Sequence, residues 1–137
     1  MDVEYLDISG DIGIRVNGSN AEDIFTNAAL ALYAMFTNIE SIEAAQLRQI
    51  KCQASSQERL LIEWLNEIIF QFDVYGFVGK NIQITKLDTS IIEAQVEGEE
   101  FNSEKHEKGL LVKAATFHNL KIEHTNTHWS AEVVFDI

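Results

Sequence analysis

The sequence predicts an α+β fold, a mostly antiparallel sheet with two main helices packed on one side. Two segments repeat their apolar residues at helical spacing, and most of the remaining chain alternates apolar and polar residues with period two. The order is two strands, a helix, a strand, a second helix and then a run of strands.

The first helix is expected over residues 20–36, where Ala21, Ile24, Phe25, Ala28, Leu32, Met35 and Phe36 form one apolar face. Ser19 with Glu22 suits a capping box at its start. The second spans about residues 56–73, with Leu61, Trp64, Leu65, Ile68 and Phe72 as its stripe and Ser55 with Glu58 as its cap. Stripes with this content are core, not cofactor pockets.

Among the strands, Ile12, Ile14 and Val16 share one face, with Asp11, Arg15 and Asn17 on the other. Ile82 and Ile84 point inward from "NIQITKLD", and "LDTS" reads as a hairpin turn. Ile92, Ala94 and Val96 then alternate with Glu93, Gln95 and Glu97. At the end, Trp129, Ala131, Val133, Phe135 and Ile137 alternate with Ser130, Glu132 and Asp136. Residues 43–54 and 110–125 complete the strands, although "LVKAATF" can also hold a short helical turn.

No linker, low-complexity tract or repeat interrupts the 137 residues, so residues 1–137 read as one domain. The 46% apolar share is that of an ordinary globular protein, and no apolar run approaches the roughly 18–20 residues of a membrane span. The opening "MDVEYLDI" is acidic where a secretory signal would be basic. Cys52 is the only cysteine, which rules out an intramolecular disulfide and a metal site of cysteine pairs. A cytoplasmic location is expected. With 22 acids against 10 bases the net charge is −12, a poor match to phosphate and so to strong direct nucleic-acid binding. Such a charge serves solubility, and equally suits a basic protein partner or a cation.

Two aspartates stand at strand ends far apart in the chain. Asp11 opens the "IGIRV" strand and Asp136 closes the last one, both on polar faces. If those strands are antiparallel neighbours, the two carboxylates converge, roughly 5 Å apart for an opposed pair. The terminal carboxylate of Ile137 follows one residue later. Such a group of anions calls for a cation or a proton, and oxygen-only donors favour a hard ion, calcium above magnesium. Equally, aspartates at strand ends are commonly turn residues bonded to local backbone.

The other chemistry-bearing residues divide simply. His124 and His128 flank "TNT", which reads as a turn, so a helical zinc pair is not expected. His106 lies in charged "SEKHEKG", a loop, and Cys52 sits in a strand interior as packing. No phosphate loop, nucleophile elbow or dinucleotide fingerprint occurs.

Taken in order, "YLDISGDIGIRVNGSNAEDIF", "LLIEWLNEIIF", "AQVEGEEFNSEKHEKGLLVKAATFHNL" and "WSAEVVFDI" resemble the archease family over nearly the whole length. The resemblance implies an α+β fold built around a strand–helix–strand–strand module. It also implies a non-enzyme: an accessory protein of the RtcB-type RNA ligase in tRNA splicing or RNA repair. Such a protein promotes guanylylation of the ligase and its repeated turnover. A metal, commonly calcium, is implied at the positions matching Asp11, Asp136 and Ile137. Lys113 and His118, in "KAATFH", match a family run and can present a polar surface to the ligase or its nucleotide; a solvated strand face explains them as well. One departure stands out. The family's "DHTAD"-like run is here "DISGD", with Ile8, Ser9 and Gly10 in the matching places. Ile8 can neither ligate nor donate a hydrogen bond, whereas Ser9 keeps a hydroxyl and Asp7 is retained as a turn or supporting residue. The rival reading is a small metal-assisted hydrolase using Asp11 and Asp136; a third is an interaction module without an ion.

Overall fold

The computed structural model describes residues 2–137. The chain runs β1 (Val3–Ile8), β2 (Asp11–Gly18), α1 (Ala21–Phe36), a single 3-10 turn (Ile39–Ser41), β3 (Gln46–Gln53), α2 (Gln57–Tyr75), β4 (Phe77–Leu87), β5 (Ile91–Glu100), β6 (Ala114–His124) and β7 (Trp129–Asp136). The α+β order expected from periodicity is the order found. The strands, however, form two sheets rather than one: a four-stranded sheet ordered β1-β2-β7-β6 and a three-stranded sheet ordered β3-β5-β4. All described strand pairs are antiparallel. The break falls at residues 101–113, which carry no alternation and cross from one sheet to the other.

Each sheet turns one face to the helices. Helix α1 lies against β2 and β7 of the larger sheet and β4 of the smaller, and α2 against β6 and β3. The apolar face of each element fills the space between: Ile14 and Val16 from β2, Ile92 and Val96 from β5, and Val133 and Phe135 from β7 are all buried. Each large apolar side chain so buried contributes about 1.5–3 kcal/mol. Trp64 is fully buried at the centre and donates its indole N–H to the Phe25 carbonyl at 3.0 Å, fastening α2 to α1.

Both helix caps sit one residue later than expected. Asn20, not Ser19, caps α1: its side chain accepts from Asp23 N–H at 2.9 Å, while Asp23 reaches back to Ser19 N–H at 2.8 Å. Ser56, not Ser55, caps α2, accepting from Arg59 N–H at 3.2 Å. At the other end α2 continues to Tyr75 and stops at Gly76, whose φ of 70° is left-handed and whose N–H bonds back to the last turn. The hairpin at Asp88 forms as expected, its carboxylate accepting from the N–H groups of Ser90 and Ile91. Strand β6 begins only at Ala114, and no helical turn forms in "LVKAATF". Residues 109 and 110 are instead tied to the end of α1 by Gly109 N–H to the Phe36 carbonyl and Leu110 N–H to that of Met35.

Candidate metal centre

The larger sheet brings the two distant aspartates to one rim. Strand β2 pairs with β7 with Ile12 opposite Phe135, and continuing that register one step sets Asp11 across from Asp136. The same row includes Ile8, opposite Asp11, and Ala114, opposite Asp136. Because Ile14 and Val16 point to the helices, Asp11 and its row lie on the sheet's outer face. Asp11 is half-buried and Asp136 exposed.

A tight turn delivers Asp11 to this position. Only Ser9 and Gly10 separate β1 from β2, with φ of 47° and 92°. Two successive left-handed residues match the hairpin turn whose twist suits paired strands, which explains Gly10 and leaves Ser9 in a conformation that favours asparagine or glycine. Ile8 leans along the outer face over Gly13, where a Cβ would lie 2.8 Å from the Ile8 Cδ1 atom.

Farther along the same strands the charges are balanced. Glu4, Arg15, Glu132 and Lys121 follow one another across the four strands in register. Arg15 bonds Glu132 at 2.7 Å and Glu4 at 2.8 Å. These partners hold the Arg15 guanidinium above its ordinary value, the hydrogen bond to Glu132 first. The Asp11–Asp136 row has two acids and no base. Like charges directly opposed across a sheet destabilise it. Neither carboxylate makes a hydrogen bond or ion pair among the described residues.

The donors available are all oxygens: two carboxylates and the main-chain oxygens of Asp136 and Ile137. That set fits a hard divalent cation and not a soft one. Two side chains are short of a complete shell, and among the described residues no group of three or more acidic, histidine or cysteine side chains is gathered to hold a metal. Main-chain oxygens and water would therefore make up the coordination. Lys113 lies beside this rim, its N–H bonding the Asp136 carbonyl at 2.8 Å.

The remaining sequence candidates lie elsewhere. His118 is exposed in an irregular stretch of β6 between Thr116 and Lys121 where Asn119 takes a φ of 54°. His124 stacks on Trp129 across the β6–β7 hairpin with centroids 4.1 Å apart, so His124 and His128 do not form a helical pair. Cys52 stays in β3, and burial first, then Glu67 and Glu63, pushes its thiol up to about 12, leaving it unreactive. His106 is in a loop as expected, yet it is buried. Its Nδ1 accepts from Asn102 N–H at 2.9 Å and its Nε2 lies 2.7 Å from Glu99. Nothing in the charged flanks of His106 signals this.

The topology and rim define a small two-sheet α+β protein whose first hairpin and last strand are neighbours in one sheet. The model of the Archease protein family (MTH1598/TM1083) matches residues 3–137. Curated relatives called protein archease include one from Sulfurisphaera tokodaii, 30% identical over 98% of this chain and 97% of its own length. Another, from Pyrococcus abyssi, is 33% identical over the same shares. The solution structure of Methanobacterium thermoautotrophicum protein 1598 aligns with a TM-score of 0.82 at 31% identity, covering 98% of each chain. A Thermotoga maritima structure, described as an archease and "possible chaperone", shares the fold with a TM-score of 0.68 at 20% identity over 96% of this chain and 94% of its own. The chain belongs to the archease family. No described helix is long and apolar enough to cross a membrane.

Proposed function

We propose that this protein is a metal-dependent accessory factor of an RtcB-type RNA ligase in tRNA splicing or RNA repair, acting in the cytoplasm. It promotes guanylylation of the ligase and its multiple turnover, and it is not itself an enzyme. Membership of the family supports the class, and the metal part of the reading rests on Asp11 and Asp136 standing one step beyond the Ile12–Phe135 pair with no base in their row.

In this reading Asp11 and Asp136 hold the ion through their carboxylates and Ile137 through a main-chain oxygen. A hard divalent cation, calcium by preference, supplies the positive charge that offsets the two facing acids. With repulsion removed, the ends of β2 and β7 keep their register, and the rim presents one defined surface to the ligase. The net charge of −12 steers association toward a basic face of the partner and leaves RNA contacts to the ligase.

A reconstituted guanylylation and ligation assay tests the proposal. Added protein should raise ligase guanylylation and turnover, chelator should remove the gain, and Asp136→Ala should remove it while the domain stays folded. Full activation by Asp136→Ala would contradict the metal reading; no activation by the wild-type chain would contradict the ligase reading.

A further inference from the structure

Of the four strands that end a sheet, three carry protection against a further neighbour. Strand β1 is short, with six residues. Bulges break the registers of β4 and β6. On β6, Asn66 also holds both main-chain groups of Ala115, donating to its carbonyl at 3.3 Å and accepting its N–H at 2.8 Å. Short strands, bulges and covering groups are ordinary defences of a sheet edge. Strand β3 has none of these. Its eight residues pair with β5 in unbroken register and with no strand on the other side.

Ala54 N–H bonds the Ser90 carbonyl at 2.9 Å where the β3–β5 ladder ends. Residues of an antiparallel strand turn alternately toward and away from their neighbour, so Leu47, Gln49, Lys51 and Gln53 direct their N–H and C=O groups to the free edge. None of these groups has a partner among the described residues. All four side chains are exposed on the outer face of the sheet, Leu47 at 58%. Across that face Lys51, Glu93 and Lys86 stand in one row, two bases to one acid. Lys51 is at the open end of the row and has no ion pair among the described residues. Behind the edge, a cleft of about 350 Å³ separates the end of β3 from α2, with Phe70, Glu63 and Glu67 on its helical wall.

Unpaired main-chain groups along an edge accept an extended backbone, and the side chains beside them set its sequence. A row that ends in an unmatched base takes an acid as its next member, and Leu47 takes an apolar neighbour. Glu63 and Glu67 repel an acid on the cleft side, so the acid belongs on the outer face. A second copy of β3 fits poorly: the strand carries Arg48 and Lys51 with no acid, and each chain has a net charge of −12. We propose that β3 is a docking edge for a partner protein, which adds an extended segment bearing an apolar residue beside Leu47 and Asp or Glu beside Lys51, four residues apart on one face. The inference goes beyond the ligase reading, since this edge lies in the other sheet from Asp11 and Asp136 and involves no ion.

The test selects a displayed library of random peptides on the full chain, then measures the synthesised winners by calorimetry and amide hydrogen exchange. Winners should carry an apolar residue and an acid four apart, and should slow exchange at the amides of Leu47, Gln49, Lys51 and Gln53. Lys51→Gln should weaken them about two- to fivefold. Gln49→Pro, which removes an N–H from the edge and none from the β5 ladder, should weaken them roughly tenfold or more. No enriched peptide, winners that leave the four amides unprotected, or binding indifferent to Lys51→Gln in a folded variant would each overturn the proposal. Protection of the same amides that rises with protein concentration alone would assign the edge to a second copy and overturn it as well.

Discussion

The His106 imidazole lies 2.7 Å from the Glu99 carboxylate while its other nitrogen accepts the Asn102 N–H, so the ring carries its proton on Nε2 and donates it to Glu99. Glu99 also receives the Glu43 N–H at 3.1 Å and Lys105 at 3.1 Å. Phe101 packs on His106, Phe72 on Phe101 and Phe36 on Phe72. This chain of rings seats the crossing segment on α1.

Glu99 therefore predicts an acid-range dependence of stability. Burial acts to raise its carboxyl, but the bonds from Glu43 N–H, Lys105 and His106 outweigh it and hold the group below its ordinary 4.5. A carboxyl depressed on folding contributes stability in full above the ordinary value and loses it as pH falls through the folded value. Urea unfolding of wild type and Glu99→Gln should show a gap at pH 7 that narrows as the pH drops below 4.5. A constant gap across that range would contradict the role given to Glu99.

The facing acids make a signed prediction about the ion-free protein. Asp136→Asn removes a like-charge contact, so in chelator the variant should be more stable than wild type by about 0.2–1 kcal/mol. With calcium the order should reverse, since wild type gains about 2.7 kcal/mol at a hundredfold excess over the dissociation constant while the variant gains little. Differential scanning calorimetry with and without calcium reads both. Equal calcium shifts in the two proteins would remove the ion from this rim.

Ser9 is a residue the turn tolerates rather than prefers. Asparagine adopts the left-handed region more readily, so Ser9→Asn should raise stability by about 0.5–1 kcal/mol in denaturant melts. A loss of stability would mean that the Ser9 hydroxyl does something in the fold that its backbone angle does not reveal.

Trp64→Phe tests the tie between the helices. The variant leaves the buried Phe25 carbonyl without its donor and opens space at the centre of the core. A loss of about 2–4 kcal/mol is expected by equilibrium unfolding. A loss below about 1 kcal/mol would mean the core closes around the smaller ring and the bond contributes little.

Much of the architecture was legible in periodicity. Ile12, Ile14 and Val16 alternate plainly, and the stripe from Leu61 to Ile68 can only be helical, because in both the buried face repeats with the period of its own element. Caps were legible only to within one residue: Ser19 adjoins Asn20 and Ser55 adjoins Ser56, and both residues of each pair are types that cap helices. The division into two sheets was hidden, since alternation within a strand says which face is buried and nothing about which strand lies next to it. The meeting of β2 and β7 followed from assuming the two ends of the chain to be neighbours, and their register is antiparallel. His106 was illegible for another reason. Its burial depends on Glu99, Asn102 and Phe101 closing around it, while the residues flanking it in sequence are charged and exposed.

The pairing of β2 with β7 bears on when the molecule can become whole. Arg15 and Glu132, bonded across those strands, are separated by most of the chain, so a nascent polypeptide emerging from the ribosome can complete helix α1 and the three-stranded sheet long before β2 finds its neighbour. Closure of such a distant contact is a late and slow event. The acidic rim is thus withheld until β7 has been made and has docked beside β2.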